Sequence, residues 1–567
     1  MPYAKNHIRV KVPSRSGFDK SHRNSGTSFC GTLTPLLLDE LIPNSRVSLK
    51  IPIAVQMPPL ASDTFMNVKY AVEAFFVPMR LLCASFEDFF CDFPRRIYTN
   101  FTYSSSQSGG SFTDVRARLP VFRLEGGSYD QYLGPGSLLD YLGFRSGISA
   151  GDTFDINPLP LVAYHLVWQE YYRNPRVQNP AFSPSLGLAP SFRSPAGDLG
   201  FAYMPYNYFH ASFIADDNTT AADNSLISIT GSSVGNMLCA DGVSAFALRQ
   251  RNFGLDYFTG ARVSAQQGLP MQVSVDIPAG QDILNQGGEG SFTIAQLRAA
   301  NSLQQFRERN NIPSPRLVDQ VKARYNANLS DGVAQRPICI GSAKFDVSTY
   351  GINQTAGDST STANPFSSVA NQYGRASASG NSFVIEDFVA NEPGYILVLG
   401  SLVPEVSYSS GVPRLFKRYL VQGSITDMAC SLLQNVGDQP IFDYELEDTL
   451  NSSSPQVFGY QDRYADFMFM PNQIHGQMRE NMSLESFVLQ RSFASAQLNS
   501  SFLEIPKDYM DGVMATSAAL AGMTYWYDTY LQYHVSMPLA EFSIPSLQDP
   551  AYEHGESVSL RRNGQLF

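Results

Sequence analysis

The sequence predicts a mostly β protein, a β-sandwich with long excursions and a few helices, and three observations carry that expectation. In MNVKYAVEAFFVP, residues 66–78, Met66, Val68, Tyr70, Val72, Ala74 and Phe76 alternate with Asn67, Lys69, Ala71, Glu73 and Phe75, the period of a half-buried strand, and Pro78 ends it. Near the other end YLQYHVSMP repeats the device, with Leu531, Tyr533, Val535 and Met537 on one face and Gln532, His534 and Ser536 on the other. Between them lie stretches rich in Ser, Gly, Asn, Asp and Pro at about 101–157 and 181–245, which suit solvent-facing loops inserted into one unit.

Other elements fill in along the chain. VSLKIPIAVQM (47–57) and SFVIEDF (382–388) read as strands, and GYILVLGSLVP (394–404) as a continuous apolar run from a buried sheet. LPLVAYHLVWQEYYRNP (159–175) reads as a helix with His165, Gln169 and Arg173 in one polar line. Leu161, Val162, Tyr164, Leu166, Val167, Trp168, Tyr171 and Tyr172 cover most of the remaining circumference, more apolar surface than one core face needs. A second helix starts at a capping box of Thr293 and Gln296, buries a stripe of Ile294, Leu297, Ala300, Leu303 and Phe306, and stops before Pro313. No period of 20 to 50 residues recurs, which disfavours a solenoid or propeller.

Composition points to a chain covered by other chains. Charged residues are 16% of the 567, against the usual ~25%, and aromatics reach 12%. Of the 40 basic residues 31 are Arg, and interfaces favour Arg, Tyr and Phe over Lys because planar groups lose little entropy when desolvated. An Arg-rich codon bias explains the Arg count equally well, but not the shortage of charge. Net charge is −11, so a polyanion must be met locally. The amino end offers such a place: Lys5, Arg9, Lys11, Arg15, Lys20 and Arg23 face one acid, Asp19, in a segment without helical or strand period. Residues 1–30 are therefore read as a mobile basic arm and 31–567 as one domain carrying the two insertions.

Motifs for chemistry are lacking. The six Cys form no C-x-x-C pair, so buried free thiols in a reducing compartment are expected. The seven His make no H-x-x-x-H, and His165 and His534 lie on polar faces, as surface or interface groups. No phosphate-binding loop or nucleophile elbow occurs, and the acidic loop ADDNTTAADN lacks the oxygen spacing of a calcium loop. No catalytic, metal or cofactor site is expected. The start has no apolar leader, and no run approaches the ~18 residues of a membrane span, so neither export by a standard signal nor membrane insertion is expected. A secreted β-sandwich polysaccharide-binding protein or glycoside hydrolase is the rival reading, since 51 acidic residues leave room for a carboxylate pair.

Seven blocks, in order from about Gly31 to Arg479, resemble the major capsid proteins of microviruses, small single-stranded DNA bacteriophages, especially the gokushovirus-like branch. They are GTLTPLLLDELIP, FFVPMRLL, LPLVAYHLVWQEYYRNPRVQNP, LRQRNFGLDYFTGARVSAQQG, FTIAQLRAANSLQQFRERN with QRPICIGSAKFDVS, EPGYILVLGSLVPEVSY and FGYQDRYADFMFMPNQIHGQMR. The chain departs from the family pattern at Pro43, Asn44 and Ser45, where Pro-Gly-Asp is common, and at RVSAQQ after the Asp-Tyr-Phe-Thr motif. Between Gly268 and Thr293 there are 24 residues where gokushoviruses carry a long threefold protrusion, so that protrusion is short here or replaced by 181–245.

The resemblance implies a viral jelly roll of two antiparallel sheets, a virion protein that forms pentamers and then a T=1 icosahedral shell around a circular single-stranded DNA genome, assembled in the host bacterial cytoplasm. It implies as partners further copies of the chain, the DNA, a small basic DNA-binding viral protein, internal scaffolding and pilot proteins, and a host surface receptor met by the outer loops. On this reading the arm, Lys5, Arg9, Lys11, Arg15, Lys20 and Arg23, faces inward to DNA or the basic protein; the alternative is a basic tail with no set partner. Tyr164, Trp168, Tyr171 and Tyr172 are candidate subunit-interface residues, unless the helix girdle is buried under the chain's own loops.

Overall fold

A computed structural model describes residues 7–11, 15–58, 60, 64–83, 86–90, 95–98, 112–116, 119, 121–125, 134–144, 153–181, 214–215, 226–229, 239, 241–265, 294–311, 313, 316–350, 375–417, 438–448, 455–514, 522–539 and 557–561. Eight strands make the centre: β1 (His22–Ser28), β2 (Thr34–Leu41), β3 (Ser45–Gln56), β4 (Val68–Pro78), β5 (Ile338–Asp346), β6 (Arg375–Ala390), β7 (Gly394–Pro404) and β8 (Tyr525–Met537). Their antiparallel pairing is nested. β1 pairs with β8, β2 with β7, β3 with β6 and β4 with β5, as when a long hairpin is rolled upon itself. Pairing of β8 with β3 and of β7 with β4 completes two sheets, ordered β1-β8-β3-β6 and β2-β7-β4-β5, the arrangement of a jelly roll.

The turns that carry the chain between sheets are set locally. Gly31, at φ +68°, takes the chain from β1 to β2, and Asn44, at φ +64°, turns β2 into β3 while its N–H donates to Ala390 O at 2.6 Å. Asn tolerates that left-handed conformation better than most side chains. After β4 the chain makes its long excursion and returns at β5.

Both sheets send alternate side chains into one core. Val47, Leu49, Ile51, Ile53 and Val55 of β3 and Leu531, Tyr533, Val535 and Met537 of β8 meet Val68, Tyr70, Val72, Ala74 and Phe76 of β4 and Ile396, Val398 and Leu402 of β7. The outward residues of the first sheet, including Arg46, Lys50, Gln532 and His534, are exposed, so β3 and β8 follow the alternation read from the sequence. In the second sheet a further layer covers the outward face: Phe75, Val77, Tyr395, Leu397 and Leu399 pack under α1 (Leu159–Val167). The expected half-buried strand at 66–78 is thus buried on both faces over its second half, and the apolar run at 394–404 is explained the same way.

α1 is shorter than the 17-residue helix expected. Asn157 Oδ1 accepts the Leu159 N–H at 3.0 Å at its start, and Trp168–Tyr172 continue as a π-helical turn closed by the Arg173 N–H donating to Trp168 O at 3.0 Å. The wider turn rotates Tyr171 and Tyr172 away from ordinary helical spacing.

Two expectations about the periphery are corrected. The segment read as an arm without strand pattern forms strands: Ser16–Asp19 and β1 both run along β8, and His7–Lys11 pairs with Ser557–Arg561. An edge strand over a solvated face needs backbone ladder bonds rather than an apolar pattern, so HRNSGTS gave no signal. The sandwich begins at Ser16, not Gly31; Lys5 lies outside the described residues. The insertions also contain strands. Arg95–Tyr98, Phe112–Arg116 and Ile214–Ala215 form one small sheet, and Thr153–Ile156, Val121–Glu125 and Leu226–Ile229 another, so pairing ties 101–157 to 181–245. Their remaining residues, with the loop 216–223, lie largely outside the described set. Cys30, Cys83 and Cys239 are buried as expected, Cys339 is exposed instead, and Cys91 and Cys430 are not among the described residues.

Candidate functional site

The aromatic helix was the first candidate surface, and the structure buries it inside the chain. Tyr164 is fully buried, its hydroxyl donating to Leu33 O and accepting the Arg249 N–H, both at 2.8 Å. Trp168, 3% exposed, donates from Nε1 to Gln250 O at 3.0 Å, and the Arg249 guanidinium lies 4.5 Å from its ring centroid. The Tyr172 hydroxyl donates to Glu73, which also receives Arg251 at 2.9 Å. Tyr171, half-buried, donates to Pro337 O at 2.5 Å and carries Arg336 at 5.2 Å from its ring. Tyr164, Trp168 and Tyr172 are therefore buried and Tyr171 half-buried, with their polar atoms satisfied within the subunit, which favours the alternative that the helix girdle is covered by the chain's own residues.

The same cluster corrects the reading of His165. It is fully buried, its Nε2 bonded to Ala245 O at 2.8 Å and its Nδ1 accepting from Arg249 Nε at 2.9 Å. That pattern requires neutral imidazole protonated on Nε2. Burial, then the adjacent Arg249 charge, holds its pKa well below the usual histidine range. Asp241 pairs with Arg249 and compensates its charge. Burial pushes the neighbouring Cys239 thiol up to about 12. His534, in contrast, is exposed as expected and lies 3.4 Å from Asp19.

The basic segment divides in two. Lys20 pairs with Asp39 at 2.6 Å, Arg23 with Asp528 through Nε at 2.6 Å, and Arg15 donates to Asn44 O. The Arg23 hydrogen bonds hold the Asp528 carboxyl down at about 2. Lys20 and Arg23 line a cleft of about 1080 Å³ beside β2, together with Asp39, Tyr141, Lys507 and Tyr527. These cations already have partners in the fold. Arg9 and Lys11 stand in the strand His7–Lys11, opposite Ser559 and Ser557.

Exposed apolar side chains lie elsewhere among the described residues. The predicted second helix exists as α2 (Ile294–Asn311), but Leu303 and Phe306 of its expected buried stripe are 40% and 48% exposed. Thr293, and with it the capping box, falls outside the described residues. α3 (Leu317–Tyr325) has no buried residue and exposes Leu317 and Tyr325. Polar contacts fasten this pair: Arg324 Nε donates to Asn310 Oδ1 at 2.9 Å, and Arg316 donates to Arg173 O at 2.8 Å beside the end of α1. A second patch is the run Phe467, Met468, Phe469 and Met470, each between 53% and 86% exposed. Its base is anchored by Asp462 to Arg262 at 2.6 Å and by Gln439 to Asp466 at 2.9 Å. Four successive exposed apolar residues are a signal of contact with another surface. The signal is legible in the sequence as FMFM.

Among the described residues no group of three His, Cys, Asp or Glu is placed to hold a metal ion, and no helix is long and apolar enough to cross a membrane. Comparison with known proteins matches residues 6–547 to the family described as Capsid protein (F protein). Capsid protein VP1 of Chlamydia phage 1 is 24% identical over 601 aligned positions, covering 94% of this chain and 96% of that protein. Capsid protein VP1 of Bdellovibrio phage phiMH2K is 24% identical, with 95% and 97% covered. Capsid protein VP1 of Spiroplasma virus 4 is 24% identical over 45% of this chain and 46% of that protein.

Proposed function

Since this chain belongs to the capsid protein (F protein) family of microvirus-type phages, and is thus a structural component of a virion, we propose that it assembles through pentamers into a T=1 icosahedral shell enclosing a circular single-stranded DNA genome. The observation that carries the reading is the family match over residues 6–547 coinciding with a nested eight-strand roll. A roll of this kind packs side by side around symmetry axes, and contacts that close by rotation give a finite shell.

At net charge −11 the chain meets DNA locally. Arg15, Lys20 and Arg23 are engaged within the sandwich, so the inward contact to DNA, or to a small basic viral protein, falls to Lys5, Arg9 and Lys11. Assembly takes place in the host bacterial cytoplasm, with scaffolding and pilot proteins as internal partners, and the segments 101–157 and 181–245 contribute to host attachment at the outer surface. The role is structural, with no catalysed reaction.

Light scattering and electron micrographs of the chain produced with its viral partners test this. Pentamers and uniform small shells are expected. A protein that stays monomeric at high concentration, with single-stranded DNA and every viral accessory factor present, overturns it.

A further inference from the structure

We infer that the α2–α3 pair of one subunit seats on the Phe467–Met470 run of a second copy of this chain, as one heterologous contact of the shell. The inference rests on the shell-forming reading above. Among the described residues both surfaces stay partly open: Leu303, Phe306, Leu317 and Tyr325 are exposed on the helices, and Phe467, Met468, Phe469 and Met470 on the run. Polar contacts join the helices to each other, Arg324 to Asn310, and to the end of α1, Arg316 to Gln169 and Arg173, and α3 buries no residue, so the exposed apolar side chains are not what fastens the pair. A second copy of the chain can bury them.

Charge selects the partner surface. Residues 294–325 carry Arg298, Arg307, Arg309, Arg316, Lys322 and Arg324 against Glu308 and Asp319, a net of +4. Residues 455–490 carry Asp462, Asp466, Glu480 and Glu485 against Arg463 and Arg479, a net of −2. Two copies of the helical surface repel each other, as do two copies of the run, whereas helix against run brings opposite signs together around apolar centres. Arg324 lies 5.0 Å from the Phe306 ring centroid, at the rim of the helical surface. Guanidinium stacked on an aromatic ring is a common component of protein interfaces. A contact between two unlike patches passes from copy to copy, as closure around an axis requires.

Two variants of the full chain test it: Phe306→Asp with Leu317→Asp, and Phe467→Asp with Met470→Asp. Each is expected to keep the parental melting temperature and to lower particle yield at least tenfold. Mixed, they are expected to form heterodimers, because each retains the surface the other lacks. Unchanged particle yield in either variant overturns the inference, as does self-association of each variant through its intact patch. Should a variant melt early, co-assembly of Phe306→Cys chains with Met470→Cys chains replaces it: oxidised dimers in the mixture above those in either alone support the contact, and their absence in intact particles overturns it. If the parental chain forms no particle, the shell reading itself fails; if it does and the variants match it, this contact alone fails.

Discussion

His165 Nδ1 accepts a hydrogen bond from Arg249 Nε at 2.9 Å, placing a neutral imidazole directly against a buried guanidinium. Asp241 balances the Arg249 charge and Ala245 O accepts the Nε2–H hydrogen bond, so the arrangement suits the neutral imidazole. In the unfolded chain the same imidazole binds a proton near pH ~6.5. The folded site has its pKa held well below that value by burial and by Arg249. Below about pH 6.5 the unfolded state therefore holds more protons, and stability falls by about 1.4 kcal/mol per pH unit until the folded pKa is reached. Thermal unfolding between pH 7.5 and 5, compared with His165→Gln, is expected to show this acid slope in the parent and its loss in the variant; parallel slopes contradict the assignment.

Trp168 fills the space between α1 and the Arg249 guanidinium and is almost wholly buried. Trp168→Ala removes a core aromatic and its hydrogen bond to Gln250 O, at a cost of roughly 3–5 kcal/mol. Loss of folded protein and loss of particles are expected to run together. A Trp168→Ala subunit with the parental melting temperature that fails to assemble would return this residue to the interface.

Truncation separates the two parts of the basic segment. Deleting residues 2–14 removes the strand His7–Lys11 but leaves Ser16–Asp19 and β1 on β8, so the subunit is expected to fold and its particles to hold less DNA. Deleting residues 2–28 strips the β1 ladder, exposes the β8 edge and removes Arg23 from Asp528, and is expected to give aggregated protein. Particle absorbance at about 260 and about 280 nm, the nucleic-acid and protein bands, and solubility of the two deletions report the outcome. Equal DNA content in particles of the shorter deletion removes the DNA role from residues 2–14.

What the sequence showed depended on whether one chain's water exposure set the pattern. β8 and β3 have one face in the core and one in solvent, and their alternation was legible residue by residue. β7 is buried on both faces, and its unbroken apolar run said so. β1 was invisible because an edge strand on a solvated face is held by backbone bonds and by polar pairs such as Asn24 to Leu36 O. His165 looked like a surface group because its partner, Arg249, lies 84 residues away in sequence. For α2 the apolar spacing at Leu303 and Phe306 was real, but helical period does not tell burial in the same chain from burial against another. The apolar girdle of α1 and the apolar stripe of α2 therefore read alike in the sequence, although the structure covers the first and leaves part of the second exposed.

Gly31 carries the crossing between the two sheets, and replacing it tests that crossing. Its φ of +68° lies in the left-handed region, its N–H donates to Leu402 O at 3.0 Å, and its carbonyl accepts the Arg251 N–H at 2.7 Å. A Cβ built there would collide with the Cβ of Ile505, which is itself fully buried. Gly31→Ala therefore combines a left-handed backbone penalty of about 1–2 kcal/mol with overpacking of about 1–3 kcal/mol. The expected result is a clear fall in melting temperature that Ile505→Ala does not relieve, because alanine keeps the Cβ that the new methyl strikes. Because Ile505 N also donates to Arg251 O at 2.9 Å, the β1–β2 turn and the segment at Arg251 are held as one unit. A Gly31→Ala protein as stable as the parent would mean that the sheets tolerate a different crossing, and that the turn does not fix how they meet.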